Sequence, residues 1–166
     1  LIFLAGWMHW YAALPLMLLT AAGLALRKRK EPQTRDSLPT FPLFTRSSFL
    51  ALAAFAALMT LSGWGEWVNQ HPDHIVRNAC LRELVASPWP VIFPDGNMLV
   101  YNTGFWLVPA LAGKLAGLDA ARVFVVLWGT WGLFLTWLWL CVFSGRRSLL
   151  LALLMAAFGS LLNFQC

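Results

Sequence analysis

Charge is what this sequence has least of. Only 11% of its 166 residues are Asp, Glu, Lys or Arg, while 60% are apolar. Soluble domains carry about 25% charged residues. A chain this short has too little interior to hide so much apolar side chain, which excludes an ordinary water-soluble domain. Cysteine is scarce as well. Cys80, Cys141 and Cys166 are odd in number and share no metal-like spacing, so neither a disulfide framework nor a cysteine metal site is expected. There is no glycine-rich phosphate loop and no Ser/His/Asp arrangement. No span interior carries a clearly placed ionisable residue, which argues against a proton-coupled transporter.

What charge there is lies between long apolar runs. Residues 1–26, 47–65, 96–113, 123–145 and 148–166 carry none. A bilayer core of about 30 Å takes roughly 20 residues of helix, and four of these runs approach that length. The pattern predicts an all-α polytopic transmembrane bundle with spans at about 8–26, 47–65, 122–145 and 148–164. A basic n-region followed by a polar mature domain is missing, so no signal peptide is predicted. The closing Asn163-Phe164-Gln165-Cys166 lies in or just after an apolar run, so the expectation is a segment of a longer chain whose remainder is a partner.

Basic residues in short loops mark the cytoplasmic side. Residues 27–46 hold Arg27, Lys28, Arg29, Lys30, Arg35 and Arg46 against Glu31 and Asp36, a net of +4. They form the predicted cytoplasmic loop, kept from helix by Pro32, Pro39 and Pro42. Residues 66–95 carry a net of −2. Because this positive charge flanks apolar runs, the expected partners are membrane lipids and not nucleic acid. Parity then fixes the centre of the chain. If 98–113 crossed the bilayer, Arg146 and Arg147 would lie outside. If it does not cross, both lie in the cytoplasm. The predicted topology is therefore four spans with an external loop at 66–119, carrying interfacial helices at about 73–86 and 100–116.

Within that loop, Pro72 and Asp73 read as a helix start, and Ser87-Pro88-Trp89-Pro90 stops the helix. Val76, Cys80, Leu81, Leu84 and Val85 fall mainly on one side of it, and Asn78, Arg82 and Glu83 on the other. Val91-Ile92-Phe93 and Met98-Leu99-Val100-Tyr101 read as extended pieces around a tight turn at Pro94-Asp95-Gly96-Asn97.

These residues resemble a known layout. Asp73-His74-Ile75-Val76-Arg77-Asn78, Leu84, Ser87-Pro88-Trp89-Pro90-Val91 and Tyr101-Asn102-Thr103-Gly104-Phe105-Trp106-Leu107-Val108-Pro109-Ala110 are similar to the first external loop of bacterial polytopic proteins related to the GT-C superfamily of glycosyltransferases. The resemblance covers about residues 66–117. It implies a multi-pass protein of the bacterial inner membrane that moves a sugar from a polyprenyl-phosphate donor to an acceptor on the extracytoplasmic face. By the same resemblance, Asp73 is the best match to the loop carboxylate that acts as general base, with Glu66 second. Arg77 or Arg82 would face the donor phosphate, and Tyr101 and Asn102 would line the sugar. The fragment alone is not expected to be active.

Each of these residues has a plainer role beside the chemical one. Asp73 stabilises a helix N-terminus, Glu66 is an interfacial residue in water between Trp64 and Trp67, and Arg77 and Arg82 contact lipid headgroups. No cofactor is required. A divalent metal held by His71 and His74 with the neighbouring carboxylates is a weak expectation, since the cluster lacks a strong ligand spacing. The competing function is a non-catalytic membrane scaffold, or a lipid-binding or transporter subunit.

Overall fold

A computed structural model describes residues 2–29, 45–68, 70–100 and 103–161. They form seven helices: α1 (Ile2–Trp7), α2 (Trp10–Arg29), α3 (Arg46–Leu61), α4 (Pro72–Ala86), α5 (Thr103–Ala116), α6 (Leu118–Ser144) and α7 (Leu149–Leu161). The described residues contain no strand, so the molecule is all-helical. Among them α6 alone is long and apolar enough to cross a membrane, and Trp10–Leu26 and Arg46–Leu61 are shorter apolar helices.

The helix ends differ from the predicted spans for local reasons. The first run breaks at Met8 and His9, where the His9 carbonyl accepts the N–H groups of Ala12 and Ala13 and starts α2 afresh. Helix α3 stops at Leu61, short of residue 65. The Ser62 N–H donates to the Leu58 carbonyl at 2.9 Å and the Gly63 N–H to the Thr60 carbonyl at 3.2 Å, and Gly63 and Gly65 stand at φ 94° and 88°, values that suit glycine. Helix α6 begins at Leu118 instead of residue 122, directly after Gly117 at φ 88°. Helix α5 is described from Thr103; Tyr101 and Asn102 lie outside the described residues, as do 30–44 of the predicted cytoplasmic loop.

The chain divides into two compact units, one of residues 1–36 and 76–121, the other of 37–75 and 122–166. The first holds α1, α2, α5 and most of α4. Trp89 is its organising side chain. The indole donates to the Leu84 carbonyl at 2.7 Å and packs 5.4 Å from Trp7, and a Cβ on Gly6 would come within 2.9 Å of it. Lys114 of α5 reaches back to the Ser87 and Val85 carbonyls at 2.5 and 3.3 Å, its ammonium 5.3 Å from the Trp89 ring centroid. A cation at the end of α4 suits the negative end of the helix dipole. Gly113 lets α5 approach α4, since a Cβ there would meet Val85 at 2.5 Å and Ala121 at 2.8 Å. Helix α2 has little cover. It buries Ala13 but exposes Trp10, Tyr11, Leu14, Leu18, Leu19, Leu24 and Leu26, and a shallow apolar groove of about 500 Å³ runs beside Ala5, Ala13 and Met17.

In the second unit α3, α7 and most of α6 share a core of Ala51, Phe55, Phe134, Trp137, Cys141 and Ala152. Buried Ser48, Ala51, Phe55 and Met59 recur every three to four residues along α3, the spacing of one helix face. Trp137 is fully buried and gives its indole N–H to the Ser148 carbonyl at 3.0 Å. Trp128, Trp131 and Trp139 are 39%, 49% and 58% exposed, so the tryptophans of this run divide between core and outer face.

Candidate functional site

The turn between α3 and α4 brings the polar groups of the second unit together. Gly63 and Gly65 bend the chain, the Gln70 amide donates to the Gly63 carbonyl at 2.7 Å, and Gly65 leaves only 3.2 Å between its Cβ position and Val126 of α6. This close seating puts Glu66 beside Arg122, in the second turn of α6. The guanidinium forms a short hydrogen-bonded ion pair with Glu66 Oε2, and the Arg122 and Glu66 side chains are only 24% and 14% exposed. Glu66 is therefore not an interfacial carboxylate in open water, as the sequence suggests. Partial desolvation strengthens the attraction between the two charges but costs each its hydration, so each partner depends on the other. Glu66 also sits at φ 66°, a left-handed conformation uncommon for a residue with a side chain.

Asp73 is placed differently. It stands in the first turn of α4 with its side chain 70% exposed, its Oδ2 3.8 Å from His71 Nδ1 and its own N–H directed to that nitrogen at 3.4 Å. Acid at this position complements the positive helix end. His74 turns inward, 5% exposed, with its ring edge-on to Trp64 at 5.6 Å between centroids. The two histidines thus face different surroundings. No group of three or more His, Cys, Asp or Glu among the described residues is placed to hold a metal ion.

Helix α4 buries His74, Asn78, Cys80, Leu81 and Leu84. Cys80, Leu81 and Leu84 lie on the side assigned from the sequence, while Val76 and Asn78 trade places. Val76 is 59% exposed and Asn78 only 9%. The apolar half of the buried stripe begins at Cys80, and nearer the start of the helix polar groups occupy it. Arg77 is half-buried and Arg82 exposed. Burial pushes the Cys80 thiol from 9.0 up to about 11, leaving it protonated and unreactive at neutral pH. Beyond α4, the bridge between Ile92 and Met98 closes the expected turn, whose tip is held by Asp95. Its carboxylate accepts the backbone and side-chain N–H groups of Asn97 at 3.1 and 2.7 Å, which holds its pKa below the usual value.

Of the residues singled out in the sequence, Glu66, His71, Asp73 and His74 lie in one turn and the start of one helix, while Tyr101 and Asn102 lie outside the described residues. Arg122 is the functional residue that sequence reasoning missed. Its signal was present: an arginine opens an apolar run on the side predicted to be external, where basic residues are disfavoured, and a glutamate closes another run on that side. No family model, curated protein or solved structure matches this chain.

Proposed function

We propose that this chain is a segment of a multi-pass membrane protein with GT-C-like architecture, which transfers a sugar from a polyprenyl-phosphate donor on the extracytoplasmic face. The observation that supports the reading is the order of elements around the polar turn. An apolar helix, α3, runs into a turn pinned by an ion pair, then into two loop helices, and returns through the membrane-length α6. The exposed apolar side chains of α2 and α6 favour lipid as their surroundings, because a helix that is apolar on all sides and uncovered by protein is not stable in water.

In this reading the two carboxylates divide the work. Asp73 is open to an incoming acceptor hydroxyl and takes its proton as the hydroxyl attacks the anomeric carbon, while the lipid phosphate leaves. Glu66 is committed to Arg122 and fixes the turn that carries α4. The test compares Asp73→Asn with Glu66→Gln in the full-length protein, measuring transfer to acceptor and thermal unfolding together. Asp73→Asn abolishes turnover and lowers the unfolding temperature only slightly, by the lost helix-end charge of about 0.3–1 kcal/mol, and Glu66→Gln lowers it more. Wild-type turnover in Asp73→Asn overturns the catalytic assignment. The exposure of Asp73 favours a second reading, a non-catalytic scaffold in which this residue only stabilises the start of α4; that outcome would select it.

A further inference from the structure

We infer that the end of the second unit opposite Glu66 is a binding surface for the phosphate groups of anionic phospholipids, with Arg46 and Arg146 as the contacting residues. The surface is assembled by Arg147. Its guanidinium donates to the hydroxyls of Thr45 and Ser48, the latter at 3.0 Å, and so ties the α6–α7 turn to the start of α3 across about a hundred residues of chain. Those hydroxyls are already engaged, with Thr45 Oγ1 2.9 Å from Ser47 Oγ and 3.0 Å from Ser48 Oγ, so Arg147 serves as the clasp. Arg46 and Arg146 stand one residue to either side of the clasp and both are exposed. Neither has an ion-pair partner among the described residues. The described carboxylates of this unit, Glu66 and Asp73, follow α3 at its other end, about 24 Å away along a helix of 16 residues. The helices between expose Phe49, Leu50, Trp131, Leu135, Leu150 and Leu153.

A basic rim on an apolar wall is the arrangement that a negatively charged leaflet attracts. Each arginine at such a surface strengthens binding about fivefold, and guanidinium matches a phosphate with two parallel hydrogen bonds. The inference rests on the membrane reading of the apolar helices and not on sugar transfer, so failure of the Asp73 test leaves it standing.

The experiment uses the full-length protein in micelles doped with phosphatidylglycerol or phosphatidylcholine, with inorganic phosphate as a third arm. Retained lipid is read by native mass spectrometry and unfolding by thermal melt. Phosphatidylglycerol is retained and raises the melting temperature, while phosphatidylcholine and free phosphate do not. The double variant Arg46→Gln/Arg146→Gln loses the preference roughly 25-fold. Should that variant fold poorly, raising the salt from 0.1 to 1 M shortens the screening length from about 10 to 3 Å and abolishes the preference in the unmodified protein. An unchanged preference in the folded variant or at high salt overturns the inference. Equal stabilisation by inorganic phosphate also overturns it, by assigning the surface to a soluble anion.

Discussion

Glu66 adopts a backbone conformation that most residues avoid, and its pairing with Arg122 is what holds it there. Left-handed φ at a residue with a side chain costs about 1 kcal/mol or more, and a partly buried ion pair offsets such a cost only while both partners are present. Removing either charge leaves the other desolvated. Because both side chains keep some solvent contact, 24% and 14%, the loss lies between the surface and buried extremes, at roughly 1–3 kcal/mol. Glu66→Gln and Arg122→Gln should each lower the thermal unfolding temperature. The double variant should be less destabilised than the two losses added, since it buries no lone charge. Additive losses in that cycle would show that the two side chains do not act as a pair. Glu66→Gly, by contrast, relieves the backbone while losing the charge, and should be the mildest change at this position.

At the scale of elements, close approach decides which glycines matter. Gly113 in α5 and Gly132 in α6 are both helical, but a Cβ at the first would overlap Val85 and Ala121, whereas nothing lies within 4 Å of the second. Gly113→Ala should cost about 1–3 kcal/mol through overpacking. Gly132→Ala should stabilise α6 by roughly 0.5–1 kcal/mol, because alanine removes backbone freedom from the unfolded chain. Thermal melts of the two single variants check the contrast, and equal effects would mean that α5 does not pack as described. The same elements show what the sequence makes legible. The start of α4 at Pro72 and its end before Ser87-Pro88 follow from residues that physically open and close helices. Its buried side follows from Cys80 onward but not before it, because amphipathic logic assumes that apolar residues turn inward along the whole helix. Here Trp64 offers a ring to His74, and Ile75 and Val76 face out. The closure of α4 by Lys114 was equally hidden. A lysine 29 residues away in sequence caps a helix only once the fold has brought it there, and no local pattern announces that. Arg122 was hidden for the same reason, although its misplaced charge marked it as needing a partner.

For the whole molecule, the membrane reading turns on whether α5 crosses the bilayer. Its 14 residues reach about 21 Å, well short of a 30 Å hydrocarbon core, and Lys114 near its end is committed to the carbonyls of α4. A helix anchored in this way to the end of α4 is held from carrying its far end to the other side. Asp95 at the turn before α5 and Leu115 at its close, 83% exposed, should therefore lie on the same side of the membrane. Single-cysteine variants Asp95→Cys and Leu115→Cys, in a background with the native cysteines changed to alanine, should both react with a membrane-impermeant maleimide added outside intact cells. Gln33→Cys in the predicted cytoplasmic loop should react only after permeabilisation. Labelling of Asp95→Cys with protection of Leu115→Cys would send α5 through the bilayer. By parity, α6 would then run outward and leave Arg146 and Arg147 on the external face, where positive charge is disfavoured. The lipid-binding rim would then lie on the wrong leaflet, and α5 would no longer belong to an external loop.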